Sequence, residues 1–310
     1  MKKCSIICNI HSGKGIKKKT LNKFENILRE NDYLVETYIT KYQGHAKKIM
    51  QNIDYADLVI SLGGDGTFNE VMTGNFKRKE RLLVSHIPLG TTNDIGKMFG
   101  LNKNVLSNLK LILNGKVKKI DICTLNGHPF VYVAGFGKFM NIPYETSSSL
   151  KKRMGYLAYL INGIKDFIQR TRLSELSYTV NGKTYSGLYS FMIASSATRI
   201  AGINNIFKDV KLDDDQFEVL FCNLTKKKDI IKSLYYLKTS DITQVPGFYF
   251  HKTNNLTIKF KKKSKPWCVD GEKYDNKTRE YNIKVVRNVE MLLPTKELPK
   301  LFLDEENKDV

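Results

Sequence analysis

The stretch Asp57-Leu58-Val59-Ile60-Ser61-Leu62-Gly63-Gly64-Asp65-Gly66-Thr67-Phe68-Asn69-Glu70-Val71 decides how this chain is read. It begins as a short apolar strand and stops abruptly at two glycines. Glycines at a strand-to-helix turn let backbone N–H groups approach phosphate oxygens and cradle them. A carboxylate inside that cradle would repel phosphate unless a divalent cation stood between the two. Asp65 therefore points to a Mg²⁺–nucleotide rather than a bare phosphate. The plain alternative is a tight turn with Asp as a helix cap, and such a turn needs fewer glycines.

Working outward, the same pattern recurs. Ser5–Cys8 is a short apolar strand that runs into Asn9-Ile10-His11-Ser12-Gly13-Lys14-Gly15. Leu21, Phe24, Ile27 and Leu28 then fall on one helical face. Tyr33–Ile39 reads as a second strand, followed by a helical stripe of Ala46, Ile49, Met50 and Ile53. Leu82–Pro88 is a fourth strand, stopping at Gly90 in Pro88-Leu89-Gly90-Thr91-Thr92-Asn93-Asp94. There the threonine hydroxyls can bond phosphate, while Asn93 and Asp94 offer a helix cap or a metal-side contact. The first loop is not a Walker A motif, because GxxxxGK[ST] is absent. Strands alternating with amphipathic helices predict βαβ units in a mostly parallel, doubly wound sheet, with ligands beyond the strands' carboxyl ends.

From about residue 118 the texture changes. Asn126-Gly127 and Asn181-Gly182 are type I′ hairpin signals, flanked by Lys118–Leu125 with Phe130–Ala134 and by Leu176–Val180 with Thr184–Leu188. Further strands are expected at Tyr189–Ser195, Phe217–Asn223, Leu256–Phe260, Tyr281–Val286 and Glu290–Leu293, and helices at about Leu150–Arg172 and Lys226–Leu237. The predicted architecture is α/β: an N-terminal domain over 1–125 and a β-rich, antiparallel, sandwich-like domain over 126–288, with 289–310 returning to the first.

Composition narrows the classes. The 310 residues are 41% hydrophobic, enough for a real core, and no window approaches a transmembrane span. The N-terminal apolar stretch is too short for a secretory signal, so a cytoplasmic location is expected. Five scattered cysteines without a CxxC pair read as buried free thiols rather than a disulfide framework or zinc site. The five histidines show no metal-ligand spacing. With 51 basic against 31 acidic residues, the charge of +20 favours anionic partners.

Together the three loops resemble the diacylglycerol kinase catalytic domain of the bacterial soluble lipid kinases. More distantly they are similar to sphingosine, NAD and 6-phosphofructokinases. Gly155–Gly163 looks like that family's GxxAYxxxG segment, Lys211–Phe217 like its K-L-D-D-G-x-F stretch, and Val269-Asp270-Gly271-Glu272 like its V-D-G-E. The resemblance implies that Asn9, Ser12, Gly13, Thr40, Gly63, Gly64, Asp65, Gly66, Thr67, Asn69 and Thr91 line an ATP site. It implies that Asp65 holds the catalytic Mg²⁺ directly or through water, and that Glu272 is the general base on a lipid hydroxyl. Asp214, with the main-chain carbonyls of Lys211 and Gln216, would bind a second, structural Mg²⁺.

Three positions depart from the pattern: Ile10 replaces a common Pro, Lys97 a common Arg, and Asp215 the Gly of LDDG. The last puts an altered structural metal site in prospect. Asp270 and Glu272 would share a side of a regular strand, but Gly271 between them suggests a turn that aims Glu272 alone at the cleft.

The expected reaction is ATP-dependent phosphorylation of a lipid alcohol, with diacylglycerol to phosphatidic acid as the leading case. Sphingoid bases, phosphatidylglycerol and polyprenols are alternative acceptors. Lys151-Lys152-Arg153 and the aromatic and aliphatic residues after it would suit peripheral docking on an anionic membrane, and equally a core helix with basic ends. An exposed strand edge would support a homodimer. A soluble kinase of the NAD kinase type and a nucleic-acid binder are the rivals. No RNA-binding motif is present, so nucleic acid is not expected as a partner.

Overall fold

The computed structural model describes residues 1–137, 173–200, 203–204, 207, 209–226, 228–229, 246–263, 266–275 and 278–303. The helix expected at Leu150–Arg172, with its GxxAYxxxG segment, lies outside them. So does the helix expected at Lys226–Leu237 beyond residue 229. The chain divides into two compact units, Met1–Asp121 with Arg287–Val310, and Ile122–Val286.

The first unit contains strands β1 (Lys2–Cys8), β2 (Tyr33–Ile39), β3 (Leu58–Gly63) and β4 (Val84–Pro88), with helices α1 (Lys18–Glu30), α2 (His45–Asn52), α3 (Asp65–Phe76), α4 (Asp94–Met98), α5 (Val105–Leu113) and α6 (Leu298–Leu301). The strands run parallel in the order β2-β1-β3-β4. Every residue of β3 and β4 is buried. Burial on both faces is what a parallel sheet covered by helices requires, and it accounts for the uninterrupted apolar run at Leu58–Leu62. Helix α1 packs with α5, and α2 with α3. The latter pair approaches closely at Gly74, where a Cβ would stand 2.6 Å from the Lys47 carbonyl. Because β1 continues to β2 on one side and β3 to β4 on the other, the order reverses between β1 and β3. That reversal is the switch point at which open α/β sheets bind ligands.

The second unit is antiparallel. Its strands include β5 (Lys116–Leu125), β6 (His128–Phe130), β7 (Val133–Gly137), β8 (Ser174–Val180), β9 (Lys183–Tyr189), β10 (Phe191–Ser195), β11 (Arg199–Ile200), β12 (Ile203–Asn204), β13 (Phe217–Cys222), β14 (Phe248–Thr253), β15 (Asn255–Phe260), β16 (Trp267–Val269) and β17 (Glu272–Tyr274). The chain passes between the units along β5 and along β18 (Glu280–Leu293). One sheet has the order β14-β13-β10-β7-β16-β17, and the other joins β9, β8, β15 and the first half of β18. Their inner faces meet through aromatic rings. Tyr178 stacks on Phe221 at 3.8 Å, Phe136 meets Phe260 edge-on at 4.9 Å, and Trp267 packs on Tyr281 at 4.8 Å. Each such fully buried ring contributes roughly 1.5–3 kcal/mol from its removal from water.

Both Asn-Gly hairpins form, with Asn126, Gly127, Asn181 and Gly182 all at positive φ. Four expectations need correction. The strand expected at Phe130–Ala134 is broken into β6 and β7, because the amides of Val131, Tyr132 and Val133 bond the Asp270 carboxylate instead of a neighbouring strand. The strand expected at Tyr189–Ser195 breaks at Ser190, which turns its amide and hydroxyl to the Cys222 carbonyl. Tyr281–Val286 and Glu290–Leu293 are one strand, β18, with Asn288 at φ 60° inside it. Strands β11, β12, β14, β16 and β17 were not expected; all of these but β14 are only two or three residues long, too short for a periodicity signal.

All five cysteines are buried and unbridged, as their spacing predicted. Among the described residues, no helix is long and apolar enough to cross a membrane.

Candidate active site

The carboxyl ends of the four parallel strands bring most of the expected residues together. Asn9 follows β1, Thr40 follows β2, Gly63 ends β3, and the Leu89–Asn93 turn follows β4. Backbone contact fuses three of these loops. A Cβ on Gly64 would stand 2.9 Å from the Ser12 hydroxyl, and one on Gly90 would stand 2.8 Å from the Gly64 Cα. Gly13 sits at φ +58°, and a Cβ there would overlap the Leu89 carbonyl. Only glycine permits this packing, so the glycines act here by letting loops touch as well as by exposing amides. The Leu89 amide donates to the Gly63 carbonyl at 2.6 Å, closing the seam.

Side chains complete the cradle. Asn9 Nδ2 donates to Thr67 Oγ1 at 3.2 Å, and Asn9 Oδ1 accepts from the His11 amide at 3.1 Å. Thr40 is buried and its amide bonds the Cys8 carbonyl. Thr91 is exposed at the rim. Asn69 is buried on α3. Gly66 and Thr67 lie in the first turn of α3, whose N–H groups have no intrahelical acceptor and carry the positive end of the helix dipole.

Asp65 lies at the base of the cradle. Its Oδ2 accepts from Thr92 Oγ1 at 3.2 Å and from the Asp94 amide at 3.1 Å, and its Oδ1 from the Ile95 amide at 3.3 Å. It therefore caps α4 from a distance while tying the β3 loop to the β4 loop. Burial, and then the neighbouring Asp94 charge, push its carboxyl up to about 6, against the pull of those three hydrogen bonds. A carboxylate offers about four lone-pair sites, and three are used. The donor set fits a cation: one acceptor position remains on a buried acid that has no cationic partner among the described residues. Asn93 adds a second buried oxygen. Its Nδ2 donates to the Gly90 carbonyl at 2.9 Å, and its Oδ1 has no partner among the described residues.

Three contributors to this architecture, Glu70, Thr92 and Asp94, lay outside the expected site set. Glu70 accepts from the amides of Gly44 and Ala46, at 2.7 and 3.1 Å, and so caps α2 from α3. Thr92 and Asp94 hold Asp65. Glu70 and Asp94 stand in the two motifs quoted above, but nothing in their spacing distinguishes a scaffold acid from one that meets a ligand.

Glu272 stands in the second unit, at the start of β17, exposed and in register opposite Val269. Asp270 and Gly271 form a two-residue turn, with φ 47° and 85°, so the two acids do not share a strand face. Asp270 is buried and accepts from Val131, Tyr132 and Val133 at 2.6, 3.0 and 3.0 Å. This carboxylate fixes the turn that presents Glu272.

The LDDDQF loop is also in the second unit. Asp214 Oδ1 accepts from the Gln216 amide at 3.1 Å, and Oδ2 pairs with Lys252 Nζ at 2.7 Å. The same ammonium lies 3.6 Å from Glu218 Oε1. Burial raises Glu218 to about 7 in spite of Lys252. Burial works to lower Lys252, but Asp214 and Glu218 hold it raised. Both Asp214 oxygens are thus engaged, one by an ammonium, and the site that Lys211, Asp214 and Gln216 were expected to form for a second Mg²⁺ does not fit a cation as it stands. Among the described residues no cluster of His, Cys, Asp or Glu is arranged to hold a metal on its own.

Comparison with known proteins agrees with this geometry. Residues 3–125 match the model of the diacylglycerol kinase catalytic domain. A diacylglycerol kinase of Bacillus subtilis (strain 168) is 27% identical over 305 residues, covering 97% of this chain and 99% of that protein. One from Staphylococcus carnosus (strain TM300) is 28% identical over 275 residues, covering 87% and 89%. A crystal structure of a diacylglycerol kinase from Bacillus anthracis str. Sterne superposes with a TM-score of 0.77 at 23% identity, covering 94% of this chain and 97% of that one, which shows a shared fold. A strand order that reverses at glycine loops, a buried acid among them, and near full-length relatives of one kind agree with the match of residues 3–125 to the diacylglycerol kinase catalytic domain.

Proposed function

We propose that this protein is a lipid kinase that transfers the γ-phosphoryl of ATP, with Mg²⁺, to the free hydroxyl of diacylglycerol, giving phosphatidic acid. The observation that carries the reading is the seam of Gly13, Gly64 and Gly90 over the buried Asp65 at the switch point of the parallel sheet. Phosphoryl transfer needs positioning and charge neutralisation more than covalent chemistry. In this reading the first-turn amides of α3 and the Asn9–Gly13 loop orient the phosphates, and Asp65 supplies the anchoring charge for the cation. Mg²⁺, when bound, would neutralise charge on the phosphate oxygens. Glu272 takes the proton from the lipid hydroxyl, and Asp270 holds its turn in place.

The net charge of +20 supports peripheral contact with an anionic membrane surface on the cytoplasmic side. Near full-length similarity to proteins named diacylglycerol kinase favours that acceptor over sphingoid bases, phosphatidylglycerol or polyprenols.

The test is transfer of labelled phosphate from ATP to a panel of lipids in mixed micelles, with Mg²⁺ or with chelator. Chelator-sensitive formation of phosphatidic acid is expected. Labelling of another lipid would replace the acceptor and keep the chemistry. Silence on every lipid with phosphorylation of NAD would overturn the reading.

A further inference from the structure

We infer that the Lys252 ammonium takes the place of the second, structural cation that the family resemblance implies at residues 211–217, so that this chain holds the loop without a bound metal. The inference does not depend on which lipid accepts phosphate.

In the β13–β14 pair, Lys252 lies directly opposite Glu218, so both side chains project from the same face. From there Nζ reaches past Glu218 to Asp214 Oδ2 at 2.7 Å while staying 3.6 Å from Glu218 Oε1. The acids it joins are shielded, with the Asp214 side chain 10% exposed and that of Glu218 2% exposed. Two shielded carboxylates that converge on one point call for a cation there. A strand residue supplies it, on an element whose backbone is fixed by pairing.

The loop itself is organised around the same contact. Asp214 Oδ1 receives the Gln216 amide, and Asp215, at φ 59°, turns the chain in the left-handed region where a glycine would be freer. Asp215 Oδ2 accepts from Asn254 Nδ2 at 3.3 Å, so the residue that departs from the family's glycine is tied to the turn that follows Lys252. Mg²⁺ demands oxygen contacts of about 2.0–2.1 Å in near-octahedral geometry. An ammonium already 2.7 Å from the key carboxylate oxygen occupies the space and satisfies the charge that such an ion would.

The experiment uses the full-length, nucleotide-free protein. Melting midpoints are measured in EDTA and in Mg²⁺ for wild type, Lys252→Met, Lys252→Arg and Asp214→Asn. Equilibrium dialysis against Mn²⁺ runs in parallel on wild type and Asp214→Asn. Wild type and Lys252→Arg should melt at the same temperature with chelator or metal. Lys252→Met should melt several degrees lower in chelator, and dialysis should show the same Mn²⁺ uptake by wild type and Asp214→Asn. Divalent uptake or a Mg²⁺-induced rise in wild type that Asp214→Asn abolishes would overturn the inference. So would a Lys252→Met protein that melts like wild type in chelator. If Lys252→Met does not fold, the dialysis comparison decides alone.

Discussion

At the residue scale, buried acids in this protein serve the backbone first. Asp270 accepts three amides and Asp65 two, with a threonine hydroxyl as well. Removing such an acceptor leaves several buried N–H groups unpaired. Asp270→Ala is therefore expected to lower stability by on the order of 3 kcal/mol or more, and Asp270→Asn by less, as read from urea unfolding. His86 makes the opposite kind of prediction. It is fully buried against Phe68, its Nδ1 faces the Ser61 carbonyl at 3.2 Å, and burial lowers it from 6.5 to about 3. As pH falls below 6.5, the unfolded chain takes up a proton that the folded chain refuses. Stability should then fall by up to about 1.4 kcal/mol per pH unit until pH approaches 3, and be unaffected by this residue above 6.5. In His86→Phe that acid-side slope should be shallower by the same amount; an unchanged slope would mean the imidazole is protonated in the folded state.

At the scale of elements, the parallel strands were legible because their chemistry is local. Leu58–Leu62 is a continuous buried run that ends in two glycines, and both features belong to neighbouring residues. The hairpins at Asn126 and Asn181 were legible for the same reason. What escaped reading depends on partners far along the chain. The break between β6 and β7 is made by Asp270, more than a hundred residues away. The ammonium on Asp214 comes from a strand that sequence periodicity did not reveal. The glycine seam was half legible: GGDGT announced a phosphate turn, but that Gly64 and Gly90 touch is a tertiary fact. Its consequence is testable. A methyl on Gly90 must push the β4 loop off the β3 loop, so Gly90→Ala should weaken ATP use by on the order of ten-fold or more while the protein still folds. Calorimetric titration with ATP and a melting curve separate the two effects.

At the scale of the whole molecule, the two units divide the labour by chemistry. The parallel unit presents amides, glycines and one buried acid, the equipment for phosphate. The antiparallel unit presents Glu272 on the short β16–β17 hairpin at one edge of its sheet, with the Asp214–Lys252–Glu218 group at the other edge. The account requires both. The most direct measurement is phosphatidic acid formation by Asp65→Asn and by Glu272→Gln, each paired with its melting temperature. Asparagine keeps an oxygen for only one of the two α4 amides, so Asp65→Asn should fold with a lowered melting temperature, and Glu272→Gln, at an exposed position, should melt within a few degrees of wild type. Both should lose lipid phosphorylation by on the order of a hundred-fold or more. Full activity in both folded variants would contradict the account.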